Sequence, residues 1–200
     1  VKQPTPQCVR DFWAHMQKEY GSIIVPKADS EVMKLVAGLL NLIDIQDDDV
    51  FMKRFTTTLG NRIYIPFEIG VPGIYDLWDQ ICVCVHEHQH IVQGQREGWM
   101  TFGSRYLVSP SYRANYEAEA YGCNMELEFW HAGAGFNPYL YGIRRVEGLK
   151  NYGCKPEHIE QAKQTINLRA NLLTLGGVEN ETTQCALAWL NEHAPELSGL

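Results

Sequence analysis

The stretch IYDLWDQICVCVHEHQHIVQG, residues 74–94, runs twenty positions before it meets its first glycine and contains no proline. It is too long for an ordinary strand. It is also apolar on nearly all sides up to Val85, so it reads as a helix buried in the middle of the chain rather than one lying on its surface. Three histidines, His86, His88 and His90, then interrupt the apolar run, with Glu87 and Gln89 between them. Polar groups inside such a helix need a compensating role. At about 100° per residue, His86 and His90 lie within about 40° of each other, one turn apart, and His88 points to the opposite side. Two imidazoles on one face can share a metal ion. Glu87 sits between the faces, placed to reach a water on that metal without ligating it. This is the physical content of the H-E-x-x-H pattern. His88 falls outside it and reads as a core histidine. Gln93, one turn beyond His90, reads either as a support for the ligand face or as a surface residue.

A catalytic zinc commonly takes three protein ligands and keeps one position open. The candidate for the third lies downstream in YEAEAYG, residues 116–122, which offers Glu117 and Glu119 on different faces of a second helix. The plain alternative is a solvated acidic face, with Arg113 and Glu117 as a surface pair.

The pair HEHQH…YEAEAY resembles the gluzincin metallopeptidases, in which H-E-x-x-H is followed on a later helix by Glu-x-x-Ala/Ser and then often Asp or Asn. HEHQHIVQ also resembles the HExxHxxQ form of some bacterial members. Glu117 follows His90 by 27 residues, a spacing similar to the ImmA/IrrE type. The resemblance covers about residues 60–130. It implies Zn2+ as cofactor, His86, His90 and Glu117 as its ligands, Glu87 as general base, and a peptide or protein as substrate. Tyr121 stands where these families often carry Asp or Asn. Support for a ligand histidine is therefore expected from the Tyr121 hydroxyl or from Asp79, two turns before His86. An oxyanion donor is also expected, and Tyr106, Tyr112, Arg113, Tyr116 and His131 all remain open for that role. The resemblance further implies an edge strand beside the active-site helix, and GNRIYIPF (60–67) has the right place in the chain to pair with extended substrate.

Working outward, the fold class expected is α+β, mainly α: a zincin-like core with a small β element upstream of the active-site helix and a helical C-terminal part. Helices are expected over 5–20, 29–45, 111–131, 138–151, 156–175 and 180–193. An extended piece is expected at 22–26, a loop at 47–50 and a β segment over 51–67. Gly60-Asn61 is turn chemistry, and Pro66 restricts its strand to an edge or to that strand's end. Residues 94–110, with Gly94, Gly98, Gly103 and Pro110, read as a connecting segment with a short strand at RYLV. The chain of 200 residues reads as a single domain, with the core over about 50–132 and a helical extension over about 137–200.

The formal charge of −7 and the lack of a lysine-rich run exclude a general phosphate-backbone binder. No stretch approaches the ~20 apolar residues of a membrane helix, so neither nucleic acid nor membrane is expected as a partner. Six cysteines without a CxxC pair read as reduced thiols, which with no visible signal peptide points to a cytoplasmic protein. The chain begins at Val1 rather than Met, so the lack of a leader carries little weight. Two other classes remain open from the residues alone. One is a non-catalytic zinc-binding structural or regulatory protein on the same scaffold, with Cys82 as the residue that would close the fourth position. The other is a component of a larger assembly, such as a virus particle, contacting it through the C-terminal helices.

Overall fold

The computed structural model describes residues 2–28, 30–35 and 48–200. In chain order it contains α1 (Pro6–Tyr20), β1 (Ile23–Pro26), α2 (Asp48–Arg54), β2 (Thr57–Leu59), β3 (Arg62–Ile65), α3 (Leu77–Glu97), α4 (Trp99–Val108), α5 (Pro110–Ala132), α6 (Pro138–Glu147), α7 (Pro156–Thr174) and α8 (Glu181–His193). The class is α+β, mainly α. Residues 31–35 are helical and bury Met33; the rest of the helix expected over 29–45 lies outside the described residues, apart from Ser30.

α3 starts at a capping box: the Asp76 side chain accepts from the Asp79 amide, and the Asp79 side chain accepts from the Asp76 amide. Its apolar half, Trp78, Ile81, Cys82, Cys84 and Val85, forms one core with Val9, Phe12, Trp13 and Met16 of α1 and with Ala186 and Leu190 of α8. The last helix is therefore seated on the first and on α3. α5 lies along α3, and on its other side buries Ala114, Ala118 and Met125 against Val146 of α6 and Ala162, Ile166 and Ala170 of α7. Small residues let these helices approach closely. A Cβ at Gly122 would stand 2.8 Å from the Arg169 side chain, and one at Gly142 would stand 2.6 Å from Ile166.

The sheet has the order β1-β3-β2, with β1 parallel and β2 antiparallel to β3. β3 is thus the middle strand, and Pro66 follows its last residue, where no ladder hydrogen bond is lost. Among the described residues the unpaired edge on the side of α3 belongs to β2, not to the RIYI strand expected there. Two other expectations are corrected. Residues 48–54 are helical where a loop and then a strand were expected. Residues 99–108 form a helix, not a connection with a strand at 105–108. Gly98, with a φ of 84°, breaks the chain between α3 and α4, whereas Gly103 is carried inside the helix. The spacing of Trp99, Phe102 and Tyr106 supplies the inward face.

α2 is fastened to the sheet by Lys27, which is fully buried. Its ammonium donates to the carbonyls of Phe51 (3.0 Å) and Phe55 (2.8 Å) at the end of α2 and to Thr57 Oγ1 (3.0 Å), and lies 3.4 Å from the centre of the Phe51 ring. A cation here satisfies orphan carbonyls and complements the helix dipole. Burial pulls its pKa down to about 7, against a smaller upward pull from Glu87. Folded Lys27 releases its proton near pH 7, whereas the unfolded chain holds it to about 10.5. Between those values the unfolded state binds more protons, so this contribution to stability rises with pH, by up to about 1.4 kcal/mol per unit. Denaturant unfolding at pH 7 and pH 9 should therefore show the wild type gaining stability relative to Lys27→Met as pH rises. Parallel pH dependences would mean that the buried amine keeps its proton throughout.

Candidate metal centre

His86 and His90 leave the same face of α3, and Glu117 leaves α5 opposite them. Glu117 Oε2 lies 3.4 Å from His86 Nε2, and its Oε1 lies 3.5 Å from His90 Nε2. One ligand atom from each of the three residues falls within 4.8 Å of the others. For tetrahedral zinc with ligands at about 2.0–2.1 Å, neighbouring ligand atoms stand about 3.3–3.4 Å apart. The two measured separations, each to a different oxygen of Glu117, are close to that spacing. Among the described residues this is the one such group.

The surrounding amides decide which nitrogen of each ring faces the group. Asn124 Nδ2 donates to the Cys82 carbonyl (2.8 Å), which leaves Asn124 Oδ1 for His86 Nδ1 (3.0 Å). Gln93 Nε2 donates to the Tyr116 carbonyl and to Glu119 Oε2 (3.0 Å each), which leaves Gln93 Oε1 for His90 Nδ1 (2.8 Å). An amide oxygen only accepts, so each Nδ1 carries a hydrogen and Nε2 is the nitrogen each ring turns toward Glu117. Two imidazole Nε2 atoms and a buried carboxylate then converge on one point. Neutral rings would repel the carboxylate there, and a positive charge, whether a proton on Nε2 or a metal ion, removes that repulsion. The pKa directions express the same demand. Burial opposes a charge on His90, yet its bonds to Glu117 raise its pKa to about 9. Burial would likewise raise Glu117, but the two histidines hold it far below the ordinary carboxylate range.

Glu119 is separated from this group. It accepts from Gln89 Nε2 (3.0 Å), from Gln93, and from both amino groups of Arg96 (2.9 and 3.1 Å). Glu117 is thus the carboxylate brought to the histidines, and Glu119 braces Gln93 behind His90. His88 lies on the opposite side, as the helical angle requires. Its Nδ1 donates to the Cys84 carbonyl (2.7 Å), its Nε2 accepts from Ser22 Oγ (2.8 Å), and burial lowers its pKa to about 4.

Neither expected support for His86 takes that role. Asp79 is engaged in the helix cap. Tyr121 lays its ring beside His86 at a tilt, centroids 5.2 Å apart, but its hydroxyl faces that of Tyr152. Asn124, two turns after Glu117 on the same face of α5, does the work instead; that i+7 relation was the signal in the sequence. Cys82 directs its thiol to Glu128 Oε1 (3.7 Å) rather than to the histidines, so it does not close a fourth position.

Glu87 is buried beside the ligands, and its Oε2 accepts from Thr58 Oγ1 of β2 (2.7 Å). Both carboxylates border a cavity of about 270 Å³ whose walls include Phe51, Phe55, Leu59, Phe102 and Tyr106. Of the five candidate oxyanion donors, Tyr106 reaches the centre, donating to Glu117 Oε1 at 2.5 Å. Tyr116 is bonded to Glu97, and His131 to the Leu197 carbonyl. Arg113 spends its guanidinium on the Tyr106, Leu107 and Tyr152 carbonyls. Tyr112 is exposed and lies against Arg105. Thr58 and Asn124 were missed from the sequence because both act through folding neighbours remote in the chain. All six cysteines are free, and no described helix is long and apolar enough to cross a membrane.

Comparison of the chain with protein-family models, curated proteins and solved structures finds no match, so the functional reading rests on the residues themselves. Zinc titration should give one tight site in the wild type, lost in Glu117→Ala and kept in Glu119→Ala. Asn124→Ala should weaken it by roughly 10–100-fold while leaving the helical circular dichroism unchanged. Equal zinc retention in the two glutamate variants would remove Glu117 as a ligand.

Proposed function

We propose that the protein is a zinc-dependent peptidase of gluzincin type that hydrolyses peptide bonds. The observation that carries this reading is a buried carboxylate, Glu87, next to a three-ligand group that leaves a position open, both facing one cavity. A structural zinc has no need of a base and usually has four protein ligands. His86, His90 and Glu117 would hold the ion, which when bound supplies the Lewis acidity that makes a water acidic at neutral pH and polarises a carbonyl.

The remaining work falls to the chain. Glu87, oriented by Thr58, removes the proton from the attacking water and delivers it to the departing amine. Tyr106, turning its one hydroxyl hydrogen away from Glu117, donates it to the oxygen on which negative charge develops. Its pKa is raised by burial and by Glu117, so it keeps its proton at neutral pH. The free edge of β2 receives extended substrate by strand addition, with Thr58 fixing the distance from that edge to Glu87.

Glu87→Gln should abolish peptide hydrolysis while zinc content stays at the wild-type level. Tyr106→Phe should lower kcat by roughly 10²–10³-fold with a smaller change in KM. Cleavage by Glu87→Gln at the wild-type rate would overturn the reading.

A further inference from the structure

Three of the four glycines inside the described helices α3 to α6 are explained by packing. A Cβ at Gly94 would fall 2.1 Å from the Trp99 ring, and Gly122 and Gly142 face Arg169 and Ile166 at 2.8 and 2.6 Å. Gly103 differs. It lies in the middle of α4, has no positive φ, and a Cβ there would meet none of the described residues within 4 Å. Neither backbone conformation nor close contact requires it, and a glycine in a helix interior is destabilising relative to alanine. Gly103 does border the cavity that holds Glu87 and the ligand group.

The rest of that cavity is chiefly apolar: Phe51, Phe55, Leu59, Trp99, Phe102 and Leu107 line it. An apolar cavity of about 150 Å³ already accommodates a benzene ring, and drug-sized ligands occupy about 300–1,000 Å³. At about 270 Å³, which includes the space before Glu87 and the His86–His90–Glu117 group, the cavity has room for one large side chain. We propose that the cavity is the subsite for a large apolar side chain, phenylalanine or leucine in size, next to the scissile bond. Gly103 is its specificity-determining residue, keeping open the wall that α4 would otherwise close. The assignment of a scissile bond rests on the peptidase reading; the apolar cavity and its gate do not.

The test separates the two. Binding of the apolar fluorophore N-phenyl-1-naphthylamine is measured on the purified full chain without added metal. Saturable binding is expected in the wild type, weakened roughly tenfold or more in Gly103→Phe and retained in Ser104→Phe, an exposed neighbour on the same helix. Gly103→Ala should raise Tm by about 2–4 °C, since helix propensity improves and nothing is displaced. The zinc-loaded protein is then offered peptides that differ only in Phe or Ala beside the cleaved bond. The wild type should favour Phe, and Gly103→Phe should lose that preference while still cleaving the Ala peptide. No fluorophore binding by the wild type, or equal binding by Gly103→Phe, overturns the subsite. An unchanged Phe preference in Gly103→Phe overturns the role of Gly103. Fluorophore binding gated at Gly103 without cleavage of any peptide upholds the gated cavity and counts against the peptidase reading alone.

Discussion

The structure depends on how two imidazoles and a carboxylate are held together away from water. Each of those groups is costly to bury, and they tolerate one another only where a positive charge, a ring proton or a metal ion, is shared among them. Their placement against one another requires α3 and α5 to lie side by side at a fixed rotation, and the rest of the fold serves that. α1 and α8 close the apolar half of α3, and α6 and α7 close the far side of α5. The polar half of α3 is left facing β2, α4 and the cavity.

Around the centre, hydrogen bonding converts geometry into chemistry. Asn124 and Gln93 set the ring nitrogens, and Thr58 ties Glu87 to the sheet edge. Lys27 holds the end of α2, which supplies the cavity's aromatic wall, against the same sheet. His86, Glu87, His90 and Glu117 thus sit on two long helices, while much of the cavity wall comes from the shorter α2, β2 and α4.

The face of α3 could be read directly from its sequence, because helical angle alone separates His86 and His90 from His88. The main helices were also legible from apolar spacing and punctuation. Glu117 against Glu119 was not, since both lie on one helix turn and only the partner helix distinguishes them. α4 was hidden because Gly94, Gly98 and Gly103 look alike in sequence. One is demanded by Trp99, one breaks the chain with a positive φ, and one simply stays helical. Asn124 was not legible because its partners, His86 and the Cys82 carbonyl, lie 38 and 42 residues away. Lys27 gave no signal at all: its partners are main-chain carbonyls 24 and 28 residues away.

The amide of Gln93 has a consequence beyond support. Its oxygen and nitrogen are nearly equal in size, so turning the group by 180° would disturb no packing. It would nonetheless present an N–H to His90 Nδ1, drive the ring hydrogen onto Nε2, and replace a ligand lone pair with a donor aimed at Glu117. The Tyr116 carbonyl and the Glu119 carboxylate, both acceptors, forbid that turn. Arg96, half-exposed at the surface, in turn holds Glu119 in place. Which nitrogen His90 turns toward Glu117 is therefore stored as the orientation of one amide, guarded by an ion pair that solvent can reach.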